Sequence, residues 1–122
     1  MTRAQRKYLK ALETLVYVAN KEQRFYWALK AIYFADKEHL RKYGRQIFDE
    51  TYYAMEQGPV PSLTYDIVKY ARGDGRFIFD NPIPSTAIKV PDHKTILPLR
   101  QANTNLLSKS EIDCLDFAYD LI

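Results

Sequence analysis

The sequence predicts a mainly helical α+β domain, a helical core carrying a short β hairpin and a Pro-rich extended arm. Three observations lead there. Apolar residues recur at helical spacing from Tyr8 to Tyr43 and again from Ile112 to Ile122. Aromatic and β-branched residues break that period after Gly44, and prolines at positions 82, 84, 91 and 98 crowd the stretch from Arg76 to Leu99. At 122 residues the chain fits a single domain, 1–122, that buries roughly two thirds of the surface its unfolded form exposes.

The first helix opens at a Thr-x-x-Gln capping box, Thr2 with Gln5, and runs to about Asn20 on an apolar face of Tyr8, Leu12, Leu15, Val16 and Ala19. A second helix follows from about Arg24 to Tyr43 and stops at Gly44, which tolerates the left-handed backbone of a helix end. Its apolar face is Phe25, Ala28, Leu29, Ile32, Leu40 and Tyr43. Helical projection places Asp36 about 20° from Phe25, in the middle of that face, with His39 on the same side. An unpaired buried carboxylate costs several kcal/mol, so Asp36 requires donors: backbone N–H groups of a nearby loop, a tyrosine hydroxyl or an arginine. His39 is expected to be partly exposed.

From Arg45 to Gln57 rough alternation predicts a short strand or hairpin ending near Met55. The connector Gly58-Pro59-Val60-Pro61 is stiff before anything packs on it, because each proline fixes its own φ and holds the preceding residue in extended geometry. A third helix begins at Pro61 or Ser62, has Asp66 near its positive end and Leu63, Ile67, Tyr70 and Ala71 as its apolar side, and ends at the run Arg72 to Gly75. Beyond it lie the β-like runs RFIF, TAIKV and TILPL, which their prolines confine to edge strands or an arm. A second capping box, Ser108 with Glu111, starts the last helix, whose apolar stripe is Ile112, Leu115, Tyr119 and Ile122.

Composition narrows the function classes. Ten tyrosines and an aromatic content of 14% serve cores and interfaces alike. Cys114 is alone, so no internal disulfide forms; it reads as a small buried thiol in a reducing compartment. The N-terminus lacks an apolar leader core and no window has the length of a membrane span, so the expectation is a cytoplasmic protein with no membrane partner. Residues 1–45 hold 11 Lys and Arg against 4 Asp and Glu, whereas residues 46–122 hold 7 against 11. A basic face of that kind meets nucleic acid or an acidic partner, or is simply a solvated surface. Glu13, Glu22 and Glu38 interrupt the basic helices, which argues against a phosphate-contacting face and leaves regulation of its own operon through DNA as the alternative function.

No glycine-rich phosphate loop, zinc-type cysteine pair or nucleophile elbow is present. Asp36 and His39 at i and i+3 would supply two metal ligands with nothing to complete the set, and no spacing pairs Ser62, Ser108 or Cys114 with His39 or His93 as a catalytic couple. The expectation is no enzyme, no metal and no cofactor.

The run from Leu29 to Asp66, LKAIYFADKEHLRKYGRQIFDETYYAMEQGPVPSLTYD, resembles the Panacea domain family, also described as SocA-like or phage-associated GepA-like. Tyr33, Phe34, Asp36, His39, Leu40, Tyr43 and Gly44 match its helix motif; Gly58, Pro59, Val60, Pro61, Tyr65 and Asp66 match its connector motif. The resemblance implies an antitoxin of a toxin–antitoxin system that neutralises a cognate toxin by direct binding, with adaptor delivery to a Clp-type protease as a variant of that role, and it implies no reaction. Family domains commonly continue past the capped helix, so the chain reads either as a version shortened at its C-terminus or as a fragment, and its bare apolar stripe at Ile122 predicts a homo-oligomer contact or a covering partner. The stiff connector then has two uses. It sets how the third helix enters, with Asp36 accepting hydrogen bonds from this loop, and it presents Tyr52, Tyr53, Val60 and Tyr65 to a partner at low ordering cost.

Overall fold

The computed structural model describes residues 2–47, 50–55, 58–74 and 86–122. It is a mainly α, α+β fold in which α2 (Phe25–Tyr43) is the central element. Alongside α2 lie α1 (Arg3–Ala19), the strand β2 (Gly58–Pro61) and, most extensively, α4 (Lys109–Leu121). The third helix, α3 (Ser62–Arg72), packs on α1. Both capping boxes form: Thr2 Oγ1 accepts the Gln5 N–H at 3.0 Å, and the Gln5 side chain accepts the Thr2 N–H at 2.8 Å. The predicted face of α1 is fully buried.

The face of α2 is shorter than expected. Leu40 and Tyr43 are 48% and 51% exposed, because residues 40–46 emerge past the elements that pack on this helix. Helical period locates a face but not where its neighbours end. His39, expected to be partly exposed, is fully buried with the Tyr43 ring stacked on it at 4.7 Å. Gly44 caps the helix at φ 75°, and its N–H bonds the Leu40 carbonyl at 3.0 Å.

The stiff connector proves to be a strand. β1 (Tyr52–Met55) and β2 form an antiparallel hairpin with Tyr52 opposite Pro61 and Tyr53 opposite Val60. The Ser62 N–H donates to the Thr51 carbonyl at 2.8 Å, which makes that pair hydrogen-bonded. Antiparallel ladders alternate, so Pro61 and, two residues back, Pro59 occupy positions whose N–H would point away from β1. The prolines therefore cost the ladder nothing, and they remove the donors that a further strand would need on that edge.

Pro61 stands at the N-cap of α3 and supplies no side-chain cap. Glu50 caps it instead, with one carboxylate oxygen accepting the N–H groups of Leu63 and Thr64 at 2.8 and 3.1 Å and the other accepting the Thr64 hydroxyl at 2.9 Å. Asp66 lies beyond the first turn and pairs with Lys69 at 3.3 Å. Of the β-like runs, TAIKV holds β3 (Ile88–Lys89) and TILPL holds β4 (Leu97–Pro98), paired antiparallel; RFIF, Pro82 and Pro84 lie outside the described residues. This arm is part of the core. Ala87, Ile88, Val90 and Ile96 are buried, and the Phe25 and Ile96 N–H groups donate to the Lys94 and Gln23 carbonyls, both at 2.8 Å, which ties the arm to the α1–α2 turn.

On α4, Leu115 is buried and Ile112 and Ile122 pack against the core, so most of the predicted bare stripe is covered; Phe117 and Leu121 are the exposed apolar side chains there. The charge asymmetry of the chain is spent partly inside the fold. Lys10 and Arg45 converge on buried Glu111 at 2.7 and 2.9 Å, Arg100 grips buried Glu13 with two nitrogens at 2.8 and 2.6 Å, and Lys21 pairs with Asp116. No described helix is long and apolar enough to cross a membrane.

The buried carboxylates are tuned in opposite directions. Burial alone would raise Glu111, but Lys10, the Ser108 N–H and Arg45 outweigh it and hold it below 4.5. For Glu13, burial is likewise outweighed by Arg100 and the Asn103 N–H. For Glu50 burial outweighs the donors at Thr64 and Leu63 and the weaker pull of Lys7, and pushes it above 4.5. Glu50 thus favours the native state more as pH falls through its raised folded value, whereas Glu13 and Glu111 contribute stability above 4.5 that is lost as pH falls through their lowered folded values. Denaturant titrations across pH should show maximal stability in mildly acidic solution, and Glu50→Gln should flatten the alkaline side of that maximum only. Glu111→Ala should cost about 2 kcal/mol at pH 7, below the value for a fully enclosed ion pair because Arg45 is half exposed.

Candidate functional site

The site is built outward from Asp36. Its carboxylate is 2% exposed; Oδ1 accepts the Ile47 N–H at 2.7 Å and Oδ2 accepts the Tyr52 hydroxyl at 2.8 Å. Two of the donor kinds expected from sequence are present, a loop N–H and a tyrosine. Neither comes from the proline-containing stretch that was expected to supply them, because β2 lies one strand further on. Burial and the Asp36 charge push the Tyr52 phenol far above its ordinary range, so it stays a donor at any physiological pH. The Tyr52 ring meets Tyr33 of α2 edge-on at 5.3 Å.

Beside this clamp, α2 and the hairpin enclose a groove of about 390 Å³, within the size of cavities that take ligand or partner side chains. Phe25, Tyr26, Leu29, Lys30, Tyr33 and Phe34 form the helix wall, and Met55 with Gly58, Pro59 and Val60 forms the hairpin wall. Gly58 sits at φ 123°, a backbone region that disfavours any side chain, although a Cβ there would meet nothing within 4 Å; conformation, not space, requires glycine. The Lys30 ammonium lies 5.2 Å from the Tyr26 and Trp27 ring centroids and 5.7 Å from that of Phe34.

Of the residues expected to meet a partner, Val60 lines the groove. Tyr52 forms the clamp behind it, Tyr53 is exposed opposite Val60 in the hairpin register, and Tyr65 stacks on Phe25 at 5.9 Å. Among the motif residues, Gly58 and Pro59 line the groove, while Pro61 leads into α3 and Gly44 ends α2. Tyr26 and Lys30 were not singled out in the sequence. Their signal is the spacing Tyr26, Lys30, Tyr33 and Phe34, at i, i+4, i+7 and i+8, a second face of α2 beside the core face.

Asp36 and His39 do not converge on a common point. His39 Nδ1 lies 2.8 Å from the Arg45 carbonyl, which only accepts, so Nδ1 donates there, and Nε2 lies in hydrogen-bond contact with the Ser110 hydroxyl at 2.9 Å. This buried histidine ties α2 to the start of α4. Among the described residues no group of three His, Cys, Asp or Glu is placed to hold a metal ion. Ser108 is spent as the α4 cap, and Cys114 is buried with its thiol pushed up by that burial.

The family model described as "Antitoxin SocA-like, Panacea domain" matches residues 29–121, a span that holds the clamp and nearly all of the groove lining. No curated protein and no solved structure matches the chain.

Asp36→Asn leaves one acceptor for the Ile47 N–H and turns the other oxygen into an amide nitrogen, so the charge-assisted bond from the Tyr52 hydroxyl is lost or reversed. Chemical denaturation should show a loss of about 1–3 kcal/mol, and Tyr52→Phe a loss of about 1 kcal/mol. The double variant should lose less than the sum, because the two changes remove one shared contact.

Proposed function

Since this chain belongs to the antitoxin SocA-like Panacea domain family, we propose that it neutralises a cognate toxin by direct protein–protein contact, without a reaction of its own. The observation that carries this reading is the open groove between α2 and the hairpin, aromatic on the helix wall and apolar on the hairpin wall, half of whose lining comes from the two motifs. Such a surface suits association, because aromatic anchors in a preformed pocket bind with little ordering cost. The clamp at Asp36 holds the groove in shape before a partner arrives. Occlusion of the toxin and delivery of it to a Clp-type protease are two outcomes of the same contact.

Co-expression with a growth-arresting product of a neighbouring gene tests the proposal. Growth should be restored by the intact chain and should fail without it. Toxin abundance then separates the two outcomes: occlusion leaves it unchanged, whereas delivery lowers it in a protease-dependent way. Absence of rescue by the folded protein would overturn the antitoxin reading.

A further inference from the structure

The groove has a chemical bias that its shape alone does not give. Lys10, Lys21, Arg45 and Arg100 are all matched to carboxylates, but Lys30 is not: among the described residues its ammonium meets aromatic rings and the Tyr26 hydroxyl at 3.2 Å. Lys37, two helical turns on and about 10 Å away along the axis, lies likewise over the Tyr33 ring at 5.6 Å. An apolar slot thus has a cation within it and a second one beyond. The hairpin edge narrows the mode of binding further, since Pro59 and Pro61 withhold the N–H groups that an added strand would use.

We propose that the groove takes an amphipathic segment of the toxin by side-chain insertion, with an apolar or aromatic residue between Tyr33 and Val60 and a flanking carboxylate on Lys30. This rests on the antitoxin reading and adds the face and the chemistry of the partner. The carboxylate replaces water at the ammonium, and the rings that already surround Lys30 exclude solvent from the new ion pair. Strand addition to the β2 edge plays no part.

The full-length chain, with the purified product of a neighbouring gene that arrests growth as probe, provides the test by calorimetric titration and growth rescue. Lys30→Glu and Met55→Glu should each weaken binding by about 10-fold or more, as loss of a central anchor does, while Lys30→Arg stays within about 3-fold. Phe117→Ser, on the exposed side of α4, should bind like the wild type. Met55 is 43% exposed, so its variant is expected to fold; thermal melts of all four check this. If both glutamate variants bind and rescue as the wild type does, the groove is not the toxin site although the antitoxin reading stands. Loss on Phe117→Ser alone would move the site to α4. If the folded wild type neither binds nor rescues, the antitoxin reading itself fails, and this inference with it.

Discussion

A carboxylate placed on the apolar side of a helix demands an answer from the rest of the chain, and the answer to Asp36 organises this fold. Its two acceptor oxygens fix the Ile47 N–H, just after the chain turns at Gly44, and the Tyr52 hydroxyl at the start of β1. Those two bonds determine where the chain returns after α2. The hairpin is laid against the helix, its second strand becomes a groove wall, and Glu50, between the two anchor points and α3, hands the geometry on to the next helix. Without donors at these two positions the desolvation cost would exceed what a few apolar contacts recover.

The same device recurs across the molecule. Glu13, Asp36, Glu50 and Glu111 are all buried, and each joins segments that hydrophobic packing alone would leave free to slide. Buried ionic and hydrogen-bonded groups of this kind add little net stability, because desolvation offsets most of their attraction. What they add is a penalty on every wrong register. Alanines are interleaved with the bulky side chains along α1 and α2, and the carboxylates add polar contacts with one geometry to that packing.

Much of this was legible in the sequence. Two capping boxes and the stop at Gly44 follow from bonds within three or four residues, and Asp36 stood out because helical period alone puts it on the wrong face. The hairpin's second strand was not legible, since prolines argue against strands; only the alternation of the ladder shows that Pro59 and Pro61 fall where no N–H is used. Leu40 and Tyr43 misled because period says nothing of where the next element stops. Glu50 gave no local sign, as its partners lie 13 and 14 residues on and become neighbours only when α3 docks. The groove was half visible, in the motif residues Tyr33, Phe34 and Gly58 to Val60, while Lys30 took its meaning from rings that surround it only in the folded helix.

The ion pair between Lys10 and Glu111 closes a loop of 101 residues, and Arg100 with Glu13 closes one of 87. A ribosome adding about 5–20 residues per second reaches Glu111 seconds after Lys10 has been made. During that interval the face of α2 destined for α4 has no cover, whereas α1 already has α2 and α3 to pack on. An interrupted translation product that ends before Ser108 would lack the α4 cap, the partner of Lys10 and the hydroxyl that satisfies His39. Within residues 1–122, the contacts that span the most sequence therefore wait for α4.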